Sequence, residues 1–209
     1  MKTALVLLML AWLACPAALL AEEPMEAIQQ PMEKVIAVLT DPQYDDAGRI
    51  DEQRQKIWEI TNSVFDFELI AKRAAGRYHW QNSFTSEQRR EFTDLFAEFL
   101  ANVYLTRISG NYNKIEVEFV EQQVDDSGKR AQVKTVVTRE KTPTPVEYSM
   151  WRREDGWKVY DVFVENVSLV QNYQTQFRSL LDKESGQQLI ERLRDKIEAQ
   201  KKESVKESG

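Results

Sequence analysis

Residues 85–119 read TSEQRREFTDLFAEFLANVYLTRISGNYNKIEVEF. This stretch decides the fold class, because its hydrophobic period changes once. Thr85-Ser86-Glu87-Gln88 has the spacing of a capping box. Phe92, Leu95, Phe96, Phe99, Leu100, Val103, Tyr104 and Ile108 then follow at i, i+3, i+4 and i+7. The resulting stripe is wide and aromatic, and it predicts a four-turn helix. Gly110 closes it. Beyond it the period falls to two, with Ile115, Val117 and Phe119 alternating with Glu116 and Glu118 as in a half-buried strand.

Downstream the alternation continues. Asp125-Asp126-Ser127-Gly128 reads as a turn. Ala131, Val133, Thr135 and Val137 alternate in a second strand. Pro143 and Pro145 mark a connection. Val146, Tyr148, Met150 and Arg152 form the expected inner face of a third strand. Asp155-Gly156 turns the chain into a fourth, Trp157–Val164. Ser168 caps a helix carrying Leu169, Val170, Tyr173, Phe177, Leu180 and Leu181. Gly186 separates it from a last helix with Leu189, Ile190, Leu193 and Ile197.

Upstream, Met25, Ile28, Met32, Val35, Ile36 and Leu39 predict a helix over 25–40, ended by Asp41-Pro42. A second helix is expected over about 51–63, with Ile57, Ile60 and Val64 on one side. Asp66 caps a short helix, 67–75, that stops at Gly76. Four helices, four strands and two helices imply an α+β domain. It has a four-stranded, mainly antiparallel curved sheet with helices packed around it.

Residues 1–21, MKTALVLLMLAWLACPAALLA, have the charged, apolar and small-residue order of a secretory signal peptide, with cleavage expected near Ala21. A lipoprotein signal on Cys15 would want an aliphatic residue where Trp12 stands. A retained anchor would want a longer apolar run. The domain is expected over 22–200, with 201–209 as a flexible tail without apolar periodicity.

Composition removes whole classes of function. The chain of 209 residues has one Cys, Cys15, and one His, His79. A disulfide framework, a CxxC motif and a Cys-ligated metal site are excluded. There are 28 Lys+Arg against 34 Asp+Glu, a net charge of −6. Losing Lys2 with the signal peptide takes this to −7, which argues against nucleic acid and against adsorption to anionic lipid.

Enzyme hardware is sparse. No phosphate-binding glycine loop and no G-x-S-x-G segment occurs. His79, in Arg77-Tyr78-His79-Trp80, reads as a loop or surface histidine after a helix end. Glu116 and Glu118 read as a solvated strand face, and Asp125–Gly128 as a hairpin rather than a calcium loop. What remains is a surplus of apolar faces. Periodicity alone does not say whether they close on each other or hold a cavity.

Several segments together resemble the MlaC family, also known as the toluene-tolerance Ttg2 auxiliary component. They are Phe65-Asp66-Phe67 with Ile70-Ala71; Gly76-Arg77-Tyr78-His79-Trp80; and Thr85-x-x-Gln88-Arg89-x-x-Phe92-x-x-Leu95-Phe96. Tyr104, Tyr112, Trp157-Lys158-Val159-Tyr160-Asp161-Val162 and Glu165-Asn166-Val167-Ser168-Leu169-Val170 follow in order. The family more often has Gly where Asn166 stands, and Asn also tolerates left-handed backbone.

The resemblance implies a soluble periplasmic phospholipid carrier without enzymatic activity, metal or cofactor. It implies work between an outer-membrane lipoprotein–porin complex and an inner-membrane ABC transporter with an MCE-domain ring. It also implies an apolar pocket between sheet and helices. Two acyl chains of about 15 CH₂ would gain roughly 24 kcal/mol over water, above the practical limit of about 18–21 kcal/mol for non-covalent affinity. The relevant reference is the bilayer, so the pocket need only match lipid in apolarity.

Expected lining residues are Phe92, Phe96, Phe99, Leu100, Val103 and Tyr104 from the long helix, and Val133, Val137, Val146, Tyr148 and Met150 from the sheet. Ile70, Trp80, Val167, Leu169 and Tyr173 rank second, and Tyr104 and Val146 are expected near the mouth. Two other readings stay open at this point. One is a periplasmic adaptor with a closed core. The other is a small enzyme of cone-shaped α+β fold using His79.

Overall fold

The computed structural model describes residues 22–44, 47–108, 115–139 and 141–207. Cys15, Ala21, Gly110 and Tyr112 lie outside them. Seven helices are described: α1 (Pro24–Leu39), α2 (Ile50–Val64), α3 (Phe67–Ala75), α4 (Arg77–Asn82), α5 (Ser86–Ile108), α6 (Leu169–Leu181) and α7 (Gly186–Glu207). The strands are β1 (Ile115–Val124), β2 (Arg130–Arg139), β3 (Thr142–Arg153), β4 (Gly156–Val164) and β5 (Val167–Ser168). They form one antiparallel sheet in chain order.

The α+β reading holds, with corrections. The sheet has five strands, not four. β5 is only two residues long, and it pairs through Phe163–Ser168 and Val164–Val167. The tight turn before it puts Glu165 (φ 51°) and Asn166 (φ 65°) in left-handed backbone. Asn166 therefore does what the more usual Gly would do, at modest cost.

β3 starts at Thr142, so Pro143 and Pro145 belong to the strand and not to a connection. Pro143 faces Thr138 and Pro145 faces Val136 on β2, whereas pairing with β4 begins only at Val146–Val164. The Pro145 carbonyl accepts from Glu165 N–H at 3.1 Å, on the β4 side. The missing proline donors thus point to where β4 has ended, the position in which a strand tolerates proline. Arg152 keeps the parity of Met150 and pairs with Trp157, so it shares the inner face, but it is exposed at the end of that face, its guanidinium 5.7 Å from the centre of the Trp157 ring.

Helix boundaries follow local chemistry. Gln88 N–H bonds Thr85 Oγ1 at 3.2 Å and Gln88 Oε1 accepts from Thr85 N–H at 2.9 Å, closing the capping box of α5. Asp66 Oδ1 caps α3 through Leu69 N–H, and Ser168 Oγ caps α6 through Gln171 N–H. Gly76, at φ 77°, ends α3 and leads directly into α4.

α4 was not expected. It is held at its end by Arg89, which donates to the carbonyls of Trp80 (2.7 Å) and Gln81 (3.2 Å). Gly186 is the first residue of α7 rather than a separator. A Cβ there would stand 2.2 Å from the Ser83 carbonyl and 2.6 Å from Phe84, so glycine lets α7 pack against the end of α4. α7 runs on through Glu207, past the start of the expected tail, and Lys201 pairs with Glu98 of α5 at 2.7 Å.

Candidate functional site

One face of the sheet carries Val133, Tyr148 and Met150, all buried, in register with one another. Ala27 and Ile28 of α1 and Val64 of α2 close this end, together with Trp157 and Val159. The other end of the same face is different. Val117, Val137 and Val146 are only half-buried, as are Val162 and Val164 of β4. The pairings Val117–Val137, Tyr148–Val162 and Val146–Val164 place them side by side.

Sequence reading missed Val162 and Val164 for a physical reason. Met150 pairs with Val159 but Ser149 pairs with Asp161, so Tyr160 is an extra residue. That bulge flips the facing of everything after it. Only an excess of apolar residues on both parities of Val162-Phe163-Val164 hinted at it.

The helices build a second cluster. Phe92 and Phe96 are essentially inaccessible, and the ring centre of Phe96 lies 5.1 Å from those of both Tyr173 and Phe177. Ile70, Trp80, Phe99 and Leu100 are buried in the same cluster. Val103, Tyr104, Leu169 and Tyr173 are half-buried against it. Val167 is separate: it is 62% exposed on β5 and does not line an interior.

A domain of this size usually has one continuous core. Here the helical and sheet clusters share only Phe65 among the described residues. Phe65 and Asp66 are the joint between the layers. Phe65 bridges to Val159, and Asp66 N–H bonds the Val159 carbonyl at 2.9 Å. The second carboxylate oxygen of Asp66 accepts from the Trp151 indole and from Arg153 Nε, both at 3.0 Å.

Electrostatic features are structural in character. Burial pushes the Tyr148 phenol above its ordinary value, opposed by a bond with the Thr135 hydroxyl. His79 is neither a loop nor a surface residue: it is buried in α4. Its Nδ1 is 3.1 Å from Ser83 Oγ and its Nε2 is 3.3 Å from Asp182 Oδ1. Two surface clefts, of about 340 and 730 Å³, indent the molecule. Neither is lined by Ser83, His79 or Asp182, and neither is lined by an expected lipid-contact residue. Glu116 and Glu118 are exposed, and Asp125 is the hub of the β1–β2 turn, accepting from Ser127 Oγ and from Lys129 and Arg130 N–H. The Ser127 bond, with the backbone donors, holds the Asp125 carboxyl below its ordinary value.

The family model for the MlaC protein matches residues 29–195. The chain belongs to the MlaC family. The match spans the motifs from Phe65 to Val170 and most of both apolar clusters. Among solved structures, this MlaC-family fold is similar to a phospholipid-binding protein from Ralstonia solanacearum, determined in complex with a phospholipid. The TM-score is 0.75 at 20% identity, over 86% of this chain and 99% of that one. At that identity the likeness establishes the fold. A search of curated proteins finds no match.

Proposed function

We propose that this chain is a periplasmic phospholipid carrier, exported by a signal peptide cleaved near Ala21. Its acyl-chain site lies between the half-open end of the sheet face and the helical cluster. The reading is carried by the division of the apolar interior into two clusters that, among the described residues, meet only at Phe65. MlaC membership and the phospholipid in the Ralstonia solanacearum neighbour support it.

In this reading Val137, Val146, Val162 and Val164 form one wall, and Val103, Tyr104, Leu169 and Tyr173 the other. Phe92, Phe96, Val133 and Met150 hold the walls rigid behind them. An apolar, unspecific lining suits cargo that leaves one lipid phase for another, because the tails are dry before and after transfer. The carrier exchanges lipid with an inner-membrane MCE-domain ABC transporter and an outer-membrane lipoprotein–porin complex, and so maintains outer-membrane lipid asymmetry. It performs no bond chemistry.

The test is organic extraction of the mildly purified protein, followed by lipid mass spectrometry. Stoichiometric phospholipid supports carriage. Protein free of lipid, and unable to take it up from vesicles, refutes carriage and favours a closed adaptor.

A further inference from the structure

The larger cleft, about 730 Å³, lies between α3–α4 and α6. Lys72, Arg73 and Arg77 line it. Among the described residues none of the three has a carboxylate within ion-pair distance, whereas Arg49, Lys134, Arg153, Lys158, Arg192 and Arg194 are all paired. Arg73 instead lies over the Tyr160 ring at 4.8 Å. Asp161 is the one acid in the lining, and it is spent internally. It accepts from Ser168 Oγ at 2.7 Å, Val162 N–H at 2.9 Å and Val170 N–H at 3.1 Å. The cleft is therefore a cationic spot on an acidic protein.

Its floor is apolar, from Leu69, Phe163 and Val170. At its margins, Tyr78 follows Arg77 and Val167 precedes Ser168. These are the two most exposed large apolar residues described, at 70% and 62%. Exposed Tyr and Arg around an apolar floor is the composition of protein–protein hot spots.

A lone phosphate fits less well. The first amides of α6 are already taken by Asp161 and Ser168, so no backbone donors converge on an anion. The three cations are spread over two helices instead of around one point.

We propose that this cleft docks an acidic segment of a partner protein, with an apolar side chain of that segment seated on Leu69, Phe163 and Val170. The inference rests on the carrier reading for the partner's purpose, but its chemistry stands by itself. A chain of net charge −6 repels acidic partners on average, so a cationic cleft sets orientation as well as attraction.

The experiment places p-benzoylphenylalanine at Tyr78 or at Val167, irradiates intact cells and sequences the adducts. Both positions should mark the same segment, rich in Asp and Glu around a large apolar residue. Lys72→Glu with Arg77→Glu should cut adduct yield about tenfold or more, since like charges face each other across the interface. Lys72→Gln with Arg77→Gln should cut it less. Phospholipid co-purifying with both double variants should be unchanged. Four results would overturn the proposal: no adduct from either position, adducts only to lipid or to a second copy of this chain, a marked segment without net negative charge, or yields indifferent to charge reversal. Failure of the carrier reading shows separately, as wild-type protein without phospholipid.

Discussion

Asp66 Oδ2 accepts the indole N–H of Trp151 at 3.0 Å, while its other oxygen caps α3 through Leu69. One carboxylate thus ties a helix start to the far end of β3. Asp66→Ala removes a cap and leaves the half-buried indole without its acceptor. A loss of about 2–4 kcal/mol is expected, read from denaturant midpoints. A loss under about half a kcal/mol would show that the two layers do not depend on this joint.

Val146→Glu and Phe96→Ala separate lining from scaffold. Val146 is half-buried at the open end of the sheet face. Glutamate there should cost about 1 kcal/mol of stability but abolish co-purifying phospholipid. Phe96 is 1% exposed among four aromatic neighbours, so Phe96→Ala should cost about 3–5 kcal/mol. Full lipid occupancy in folded Val146→Glu protein would move the site elsewhere.

Tyr148 sets an alkaline limit. Its folded-state value is raised by burial above the ordinary 10.0, with Thr135 acting against the shift. The stabilising contribution of the neutral phenol is complete below the unfolded value. It is lost as the pH rises from there through the higher folded value. Thermal midpoints should fall in that window, and Tyr148→Phe should flatten the fall. An unchanged profile in Tyr148→Phe would assign alkaline loss to another group.

Gly186 and Gly128 should respond differently to alanine. A Cβ at position 186 would press on the Ser83 carbonyl and the Phe84 ring, both backed by packed structure. Gly186→Ala should cost about 1–3 kcal/mol or more. At Gly128 nothing lies within 4 Å, and only the φ of 66° opposes a side chain. Gly128→Ala should cost about 1 kcal/mol. Melting curves of the two variants decide the order.

Legibility in the sequence tracked how local each determinant is. The caps of Asp66, Thr85 and Ser168 involve residues three apart, and each was readable from spacing. The end of α4 depends on Arg89 reaching back to the carbonyls of Trp80 and Gln81, so Arg77–Asn82 looked like a loop and His79 like a surface residue. Gly186 looked like a break because its reason is a close approach to Ser83, a hundred residues away along the chain.

The apolar faces proposed as the site were legible in part. The aromatic stripe of α5 and the alternation of β2 placed Phe92, Phe96, Val103 and Val133 in the interior. Val162 and Val164 were hidden by the bulge at Tyr160, which resets the alternation without altering composition. Val167, attractive by its motif, is exposed because β5 is the outermost strand.

The prolines of β3 carry a last consequence. An unpaired strand edge is a template on which another chain can pair. The stretch of β3 beyond the reach of β4 is such an edge. Pro143 and Pro145 stand at the positions whose donors would face outward there. A foreign strand arriving at this edge finds no donor at either proline, and the Pro145 carbonyl is already taken by Glu165 N–H, so pairing stalls. The edge is thereby blunted against recruitment of a further strand.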